Sequence, residues 1–256
     1  MNLNLTETVK QLLIINIIFY IGSQIVGQPA YDILALHFPE NPNFRFWQPL
    51  TSMFMHAKYN EGPGIMHIFF NMFALVSFGS LLERIWGGKK FLFFYISCGL
   101  GAAALHIAAN YYSFYQGMEL LTTNSVPKGQ IMDLLAQGRY DTRWEEMMSG
   151  SDFINFMSSY INPAVGASGA IYGIMVAFAF IAPNAELMMM FVPIPIKAKY
   201  FVPGLVVLDL FLALQGQSIF GSGTGVAHFA HIGGALIGFI MMWYWKKNSF
   251  NNKRWN

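Results

Sequence analysis

The chain has 256 residues, 55% of them hydrophobic and only 11% charged, with a mean hydropathy of +0.42 and a formal net charge of +2. Soluble domains carry about a quarter charged residues, so this composition is hard to reconcile with a soluble protein, and the near-neutral charge points to no nucleic-acid partner. A single cysteine, Cys98, rules out an internal disulfide and reads as an inert packing residue in an apolar run.

A bilayer span needs about 20 mostly apolar residues. Six segments qualify in chain order: residues 10–27, 65–83, 90–110, 165–182, 200–215 and 226–245. The first could pass for a secretory signal, but only Lys10 lies in its leading region and no A-x-A-like site follows, so it counts as a span. Between spans one and two, loop 28–64 holds Pro29, Pro39, Pro42, Pro49 and Pro63, too many for one helix. Its aromatic stretch Phe44-Arg45-Phe46-Trp47 suits a membrane interface. In loop 111–162, Ile131, Leu134 and Leu135 recur at helical spacing, as do Trp144, Met147 and Met148. That pattern predicts one or two short surface helices, with a solvated spacer as the other reading.

Residues 1–256 thus read as a single membrane domain without internal repeats. With the N-terminus in the cytoplasm, the inside loops collect Lys10, Arg84, Lys89, Lys90, Lys197, Lys199, Lys246, Lys247, Lys253 and Arg254. The outside loops hold Arg45, Lys58, Lys128, Arg139 and Arg143. This bias puts both termini inside, and a bacterial cell (inner) membrane is the expected location.

Chemistry is suggested by three groups of residues on different spans. Asn162 followed by Pro163 predicts a helix start, with Ser168 in the opening turns of span four. Free N–H groups there would suit an oxyanion. Ser168 is flanked by Gly166 and Gly169 and followed by Gly173, a pattern that also suits a small packing residue in a helix seam. The soluble hydrolase elbow is not met, since Ala170 stands where it needs glycine.

Span six carries a second track, Gly234 and Gly238, and His231 shares its face, whereas His228 lies well round the helix. If the two glycine tracks pack together, His231 is the imidazole brought to Ser168, and it would activate the hydroxyl. Tyr172, one turn after Ser168, would pack on that ring. In span two, His67 and Asn71 are one turn apart, both polar in an apolar helix and both able to donate hydrogen bonds to an oxyanion. A helix–helix hydrogen bond is the alternative for each.

This constellation resembles the rhomboid family of intramembrane serine proteases. The family's H-x-x-x-N is similar to His67–Asn71, its G-x-S-G to Gly166–Gly169 with an aromatic at Tyr172, and its A-H-x-x-G-x-x-x-G to Ala230–Gly238. Its glutamate after the second helix is similar to Glu83. The resemblance implies an all-α polytopic bundle of six transmembrane helices. It implies Ser168 and His231 as a catalytic dyad, and the Ser168 N–H, Asn71 and His67 as the oxyanion hole. Tyr172, His228, Gly166, Gly169, Gly234 and Gly238 would support them. It implies transmembrane protein substrates in the lipid bilayer and no metal or other cofactor.

The sequence departs from the family at Gln48, where Trp47 is often followed by arginine, in the insert from Lys58 to Gly64, and in the length of loop 111–162. Asp209, the acidic residue within span five, reads as a structural hydrogen bond, with orientation of a histidine as the second choice. His56 and His106 receive no role, and His37 reads as a loop residue. The glycines Gly204, Gly216, Gly221, Gly223 and Gly225 suggest that span five and the loop 215–225 form a movable gate. Three rivals stand beside the protease: an inactive rhomboid-like protein that binds client membrane proteins, a haem or metal protein using the histidines, and a transporter.

Overall fold

The computed structural model describes residues 5–60, 64–189, 192–215 and 226–251. Helix α1 (Glu7–Val26) starts on a carboxylate borrowed from elsewhere. The N–H groups of Thr8 and Val9 donate to Glu83 at 2.9 Å each, and Thr6 Oγ1 donates to it at 2.5 Å. The first turn of a helix leaves N–H groups without intrahelical partners and favours negative charge, which Glu83 supplies. Gly27, at φ +73°, then turns the chain into the short α2 (Gln28–Leu34).

The first loop is ordered by its own side chains rather than by regular structure. Gln48, in α3 (Gln48–Thr51), is fully buried. Its amide donates to the Asn43 carbonyl at 2.8 Å and the Asp32 carbonyl at 3.2 Å, while its oxygen accepts from the His37 N–H at 3.2 Å. Gln48 therefore ties the loop together. Trp47 Nε1 adds a bond to the Ile33 carbonyl at 2.9 Å.

α4 (Ile65–Ala74) passes through a π-helical turn, Leu75–Gly79, into α5 (Ser80–Trp86). α6 (Gly88–Thr123) is the longest helix described, and it runs thirteen residues beyond the span expected to end at 110. Hydropathy falls after Asn110, but Tyr111 to Thr123 contains no proline, so the helix continues. Three further helices cover its outer half: α7 (Lys128–Ala136), α8 (Trp144–Met147) and α9 (Gly150–Ile161). They close a second core around Phe38, Phe114, Leu121, Ile131, Trp144, Phe156 and Tyr160. The Phe114 ring stacks on Phe156 at 5.3 Å and on Tyr160 at 5.7 Å. This region is thus a packed unit and not a solvated spacer.

α10 (Ser168–Ile181) begins later than Asn162-Pro163 predicts. Asn162 instead ends α9, its N–H bonding to the Ser158 carbonyl. The chain then stays extended because Leu36 and Ala164 exchange two backbone hydrogen bonds and the Gly166 N–H bonds to the Ser52 carbonyl. After α10 comes an antiparallel hairpin, β1 (Glu186–Met189) and β2 (Val192–Lys197), with Glu186 opposite Lys197. The sequence reading did not anticipate this hairpin. α11 (Ala198–Gln215) and α12 (Val226–Asn251) complete the order. The loop proposed as part of a gate lies, apart from Gln215, outside the described residues, as do most of the 58–64 insert's glycine–proline core and the terminal Lys253 and Arg254.

Among the described residues, helical segments 7–26, 65–86 and 88–123 are long and apolar enough to cross a membrane, and Ser168–Ile181 is a shorter apolar helix. Many large apolar side chains face outward, among them Ile18, Ile25, Phe73, Phe93, Phe239 and Trp243. Exposed apolar surface on this scale matches lipid contact. The fold is an all-α, multi-pass membrane bundle.

Candidate active site

α10, α6 and α12 meet at the centre of the bundle through small residues. A Cβ built on Gly234 would lie 1.8 Å from the carbonyl oxygen of Gly169, and one on Gly238 would lie 2.7 Å from the Cα of Gly173. These are backbone-to-backbone contacts, which only glycine permits. A Cβ on Gly169 would meet the Cβ of Ala102 on α6 at 2.3 Å, and one on Gly173 would meet the Cys98 sulfur at 2.4 Å.

That approach sets the polar groups. His231 Nε2 lies 2.9 Å from Ser168 Oγ. The Tyr172 ring stacks on His231, with centroids 4.3 Å apart and planes 8° from parallel. Ser168 is the first residue of α10, and the helix ladder starts only when the Ile171 N–H bonds the Ala167 carbonyl at 3.0 Å. The N–H groups of Ser168, Gly169 and Ala170 therefore lie outside the ladder, at the positive end of the helix.

His67 faces this helix start. Its Nδ1 accepts from the Ala57 N–H at 3.1 Å, so the neutral ring carries its hydrogen on Nε2. A Cβ on Gly166 would come within 3.0 Å of that Nε2 and 3.5 Å of Ser168 Oγ. Gly166 holds φ +131° there, a conformation and a space that suit glycine. Asn71 is buried, and its amide donates one hydrogen to the His67 carbonyl at 2.7 Å, keeping a second. Its own oxygen has no hydrogen-bond partner.

The structure brings Ser168, His231, Tyr172, His67 and the glycines to one place. His228 is separate: it is buried, and its Nδ1 bonds Asp209 Oδ1. Asp209 Oδ1 also lies 3.5 Å from His231 Nδ1, a contact that fits the second reading of Asp209, orientation of a histidine. The signal available was chemical: Asp209 is the one carboxylate in α10, α11 and α12. Asp209, His228 and His231 also form a group whose ligand atoms lie within 4.8 Å of one another, the described set with spacing for a metal ion.

Of the unassigned histidines, His56 is fully buried behind the site. Its Nε2 bonds Asn16 Oδ1 at 3.0 Å, and its ring packs edge-on to His67 at 5.3 Å. Burial, with the nearby His67, pushes the His56 imidazole down to about 3. His106 pairs with Asn110 at 3.1 Å. His37 is buried under the first loop, its ring 3.3 Å from the Tyr31 carbonyl.

A family model described as the Rhomboid domain matches residues 43–123 and 131–248. The chain belongs to the rhomboid family. It is 27% identical over 206 residues to the Rhomboid protease AarA of Providencia stuartii, covering 77% of this chain and 54% of that one. It is 24% identical over 201 residues to the mitochondrial Rhomboid protein 1 of Saccharomyces cerevisiae, covering 77% and 41%. It is 25% identical over 196 residues to the mitochondrial Presenilin-associated rhomboid-like protein of Homo sapiens, covering 76% and 36%. This rhomboid spans about half the length, or less, of the curated relatives it matches. They support a multi-pass integral membrane protein; two carry mitochondrial names and one is bacterial, so they do not select the bacterial membrane expected from the sequence.

Proposed function

We propose that this rhomboid is an intramembrane serine endopeptidase that cleaves transmembrane protein substrates within or near the bilayer. The observation that carries the proposal is the 2.9 Å contact between His231 Nε2 and Ser168 Oγ at an uncapped helix start.

Ser168 Oγ attacks the scissile carbonyl carbon while His231 takes its proton. The carbonyl oxygen becomes an oxyanion, held by the Ser168 N–H, the second Asn71 amide hydrogen and His67 Nε2–H. Collapse breaks the C–N bond, and His231 gives its proton to the leaving amine. A water molecule, deprotonated by His231, then attacks the acyl-enzyme, and the acid product leaves with Ser168 restored. Tyr172 holds the imidazole plane throughout. Gly169, Gly234 and Gly238 supply the close approach that the serine–histidine contact needs. Ser168, His67 and His231 are partly exposed, which leaves room for water and for an unwound substrate segment. No step calls for a metal or cofactor. The lysine and arginine bias puts both termini in the cytoplasm, and the outer unit α7–α9 then lies on the far side of the membrane.

The test compares wild type and Ser168→Ala in cells expressing tagged single-span membrane proteins. Fragments that appear with wild type and vanish with Ser168→Ala support the reading. Equal fragments with both would refute it. Capture of intact clients by both proteins, with no cleavage by either, would favour the inactive client-binding rival.

A further inference from the structure

We propose that Asp209 is a positioning residue for His231, acting together with His228, so that the serine–histidine pair is one end of a carboxylate–histidine network. The proposal rests on the hydrolase reading above.

The reasoning begins with the tautomer. A carboxylate only accepts hydrogen bonds. Asp209 Oδ1 faces Nδ1 of both histidines, so each ring carries its hydrogen on Nδ1. For His231 this leaves the Nε2 lone pair facing Ser168 Oγ. The other neutral tautomer would point a hydrogen at the serine and could not take its proton. Asp209 therefore selects the tautomer that can act as a base.

Orientation follows. Tyr172 stacks flat on the His231 ring and fixes its plane, but a stacked ring can still slide and turn within that plane. A partner at Nδ1 removes that freedom. The two constraints differ in kind: one comes from α10, the helix of Ser168, and the other from α11. Each alone leaves the base free in a direction the other controls.

Charge completes the argument. When His231 takes the serine proton, a cation forms in an apolar bundle, where an unpaired charge is costly. Asp209 is 2% exposed and sits one contact away. Its Oδ2 accepts no hydrogen bond within 3.5 Å, and the Tyr172 side chain is the further group that interacts with the carboxylate. A carboxylate buried merely to join helices holds its charge out of water at a cost, and a neutral amide or hydroxyl would serve as well. A negative charge is worth that cost where a positive charge appears during the reaction. His228, three residues before His231 and with its ring 83° from it, is the second donor. It pins Oδ1 in place, so that the shared oxygen does not swing away from His231.

The experiment uses the purified full-length protein in lipid vesicles, with a transmembrane reporter substrate. It compares wild type, Asp209→Asn, Asp209→Glu and His228→Gln by kcat, KM and Tm. The proposal expects Asp209→Asn to lower kcat by about 10²–10⁴-fold with KM within about threefold, because the fault lies in the tautomer and not in binding. Asp209→Glu should recover part of kcat, and His228→Gln should cost about tenfold or less. An Asp209→Asn protein with wild-type kcat would overturn the proposal and leave the Ser168–His231 reading standing. So would a kcat loss that follows the Tm loss and is not rescued by glutamate, which marks a structural bond. Wild-type cleavage that a zinc chelator abolishes and zinc restores would also overturn it, assigning the three groups to a cation. A wild type that cleaves nothing contradicts the hydrolase reading, and the proposal with it.

Discussion

The seam between α10 and α12 and the outer unit of α7–α9 are both tightly packed, but from different materials. In the seam, glycine lies on glycine and backbone touches backbone. In the outer unit, aromatic side chains from four segments stack on one another. A side chain can change rotamer to absorb an added atom, whereas two helix backbones can only move apart. The seam therefore sets the Ser168–His231 distance, and the outer unit is held by side-chain packing. Both regions draw on distant parts of the chain: the seam joins Ser168 to His231, and the outer unit takes Phe38 from the first loop onto Phe114 and Tyr160.

If that division holds, substitutions in the two regions affect different observables. The largest effects belong to groups that touch the reacting atoms. His67→Ala and Asn71→Ala should each lower kcat by about 10²–10³-fold while leaving Tm nearly unchanged. Phe156→Ala in the outer unit should do the reverse: it removes a fully buried ring, costs about 3–5 kcal/mol of stability, and leaves kcat within about tenfold. Steady-state kinetics and thermal unfolding on the same preparations check both, and a Phe156→Ala protein that is stable but inactive would break the comparison.

A matched glycine pair sharpens it. Gly234→Ala puts a methyl against the Gly169 carbonyl, so α12 must retreat from α10 and carry His231 with it. A displacement of about 1 Å at the reacting atoms costs about 10²-fold in rate. Gly117→Ala puts a methyl against the Phe156 ring, 2.4 Å from Cδ2, where a side chain can give. It should cost about 1–3 kcal/mol of stability with cleavage little changed. Equal rate losses in the two variants would show that backbone contact is not what sets the site.

The most gradual effect is in pH. His56 is held neutral by burial, down to about 3 against an ordinary value of 6.5. The unfolded chain binds a proton there before the folded one does, so stability present above pH 6.5 is lost as pH falls toward 3. The slope is at most about 1.4 kcal/mol per pH unit. His56→Gln should flatten the acid limb of a Tm–pH profile, and an unchanged slope would remove His56 as its source.

How much of this was legible in the sequence follows from the same contrast. The seam could be read because glycine spacing at the helical period encodes a face, and His231 lies on that face while His228 does not. The outer unit was half legible: its helices show periodicity, but the extension of α6 is hidden because hydropathy marks where lipid ends, not where a helix ends. α10 starts later than Asn162-Pro163 signals because that signal is local, and the Leu36–Ala164 pairing that overrides it is not. Asp209 was visible as an odd residue, but its partner oxygen is set by the angle between α11 and α12, which no spacing in the sequence records.

The central claim is that Ser168 is a nucleophile made reactive by His231. It is tested most directly by fluorophosphonate labelling of the purified protein, with the modified residue identified by peptide mass spectrometry. The account predicts covalent label on Ser168 in wild type and little or none in His231→Ala of equal Tm. Label on His231→Ala at the wild-type rate, or a wild type that stays unlabelled, would contradict it.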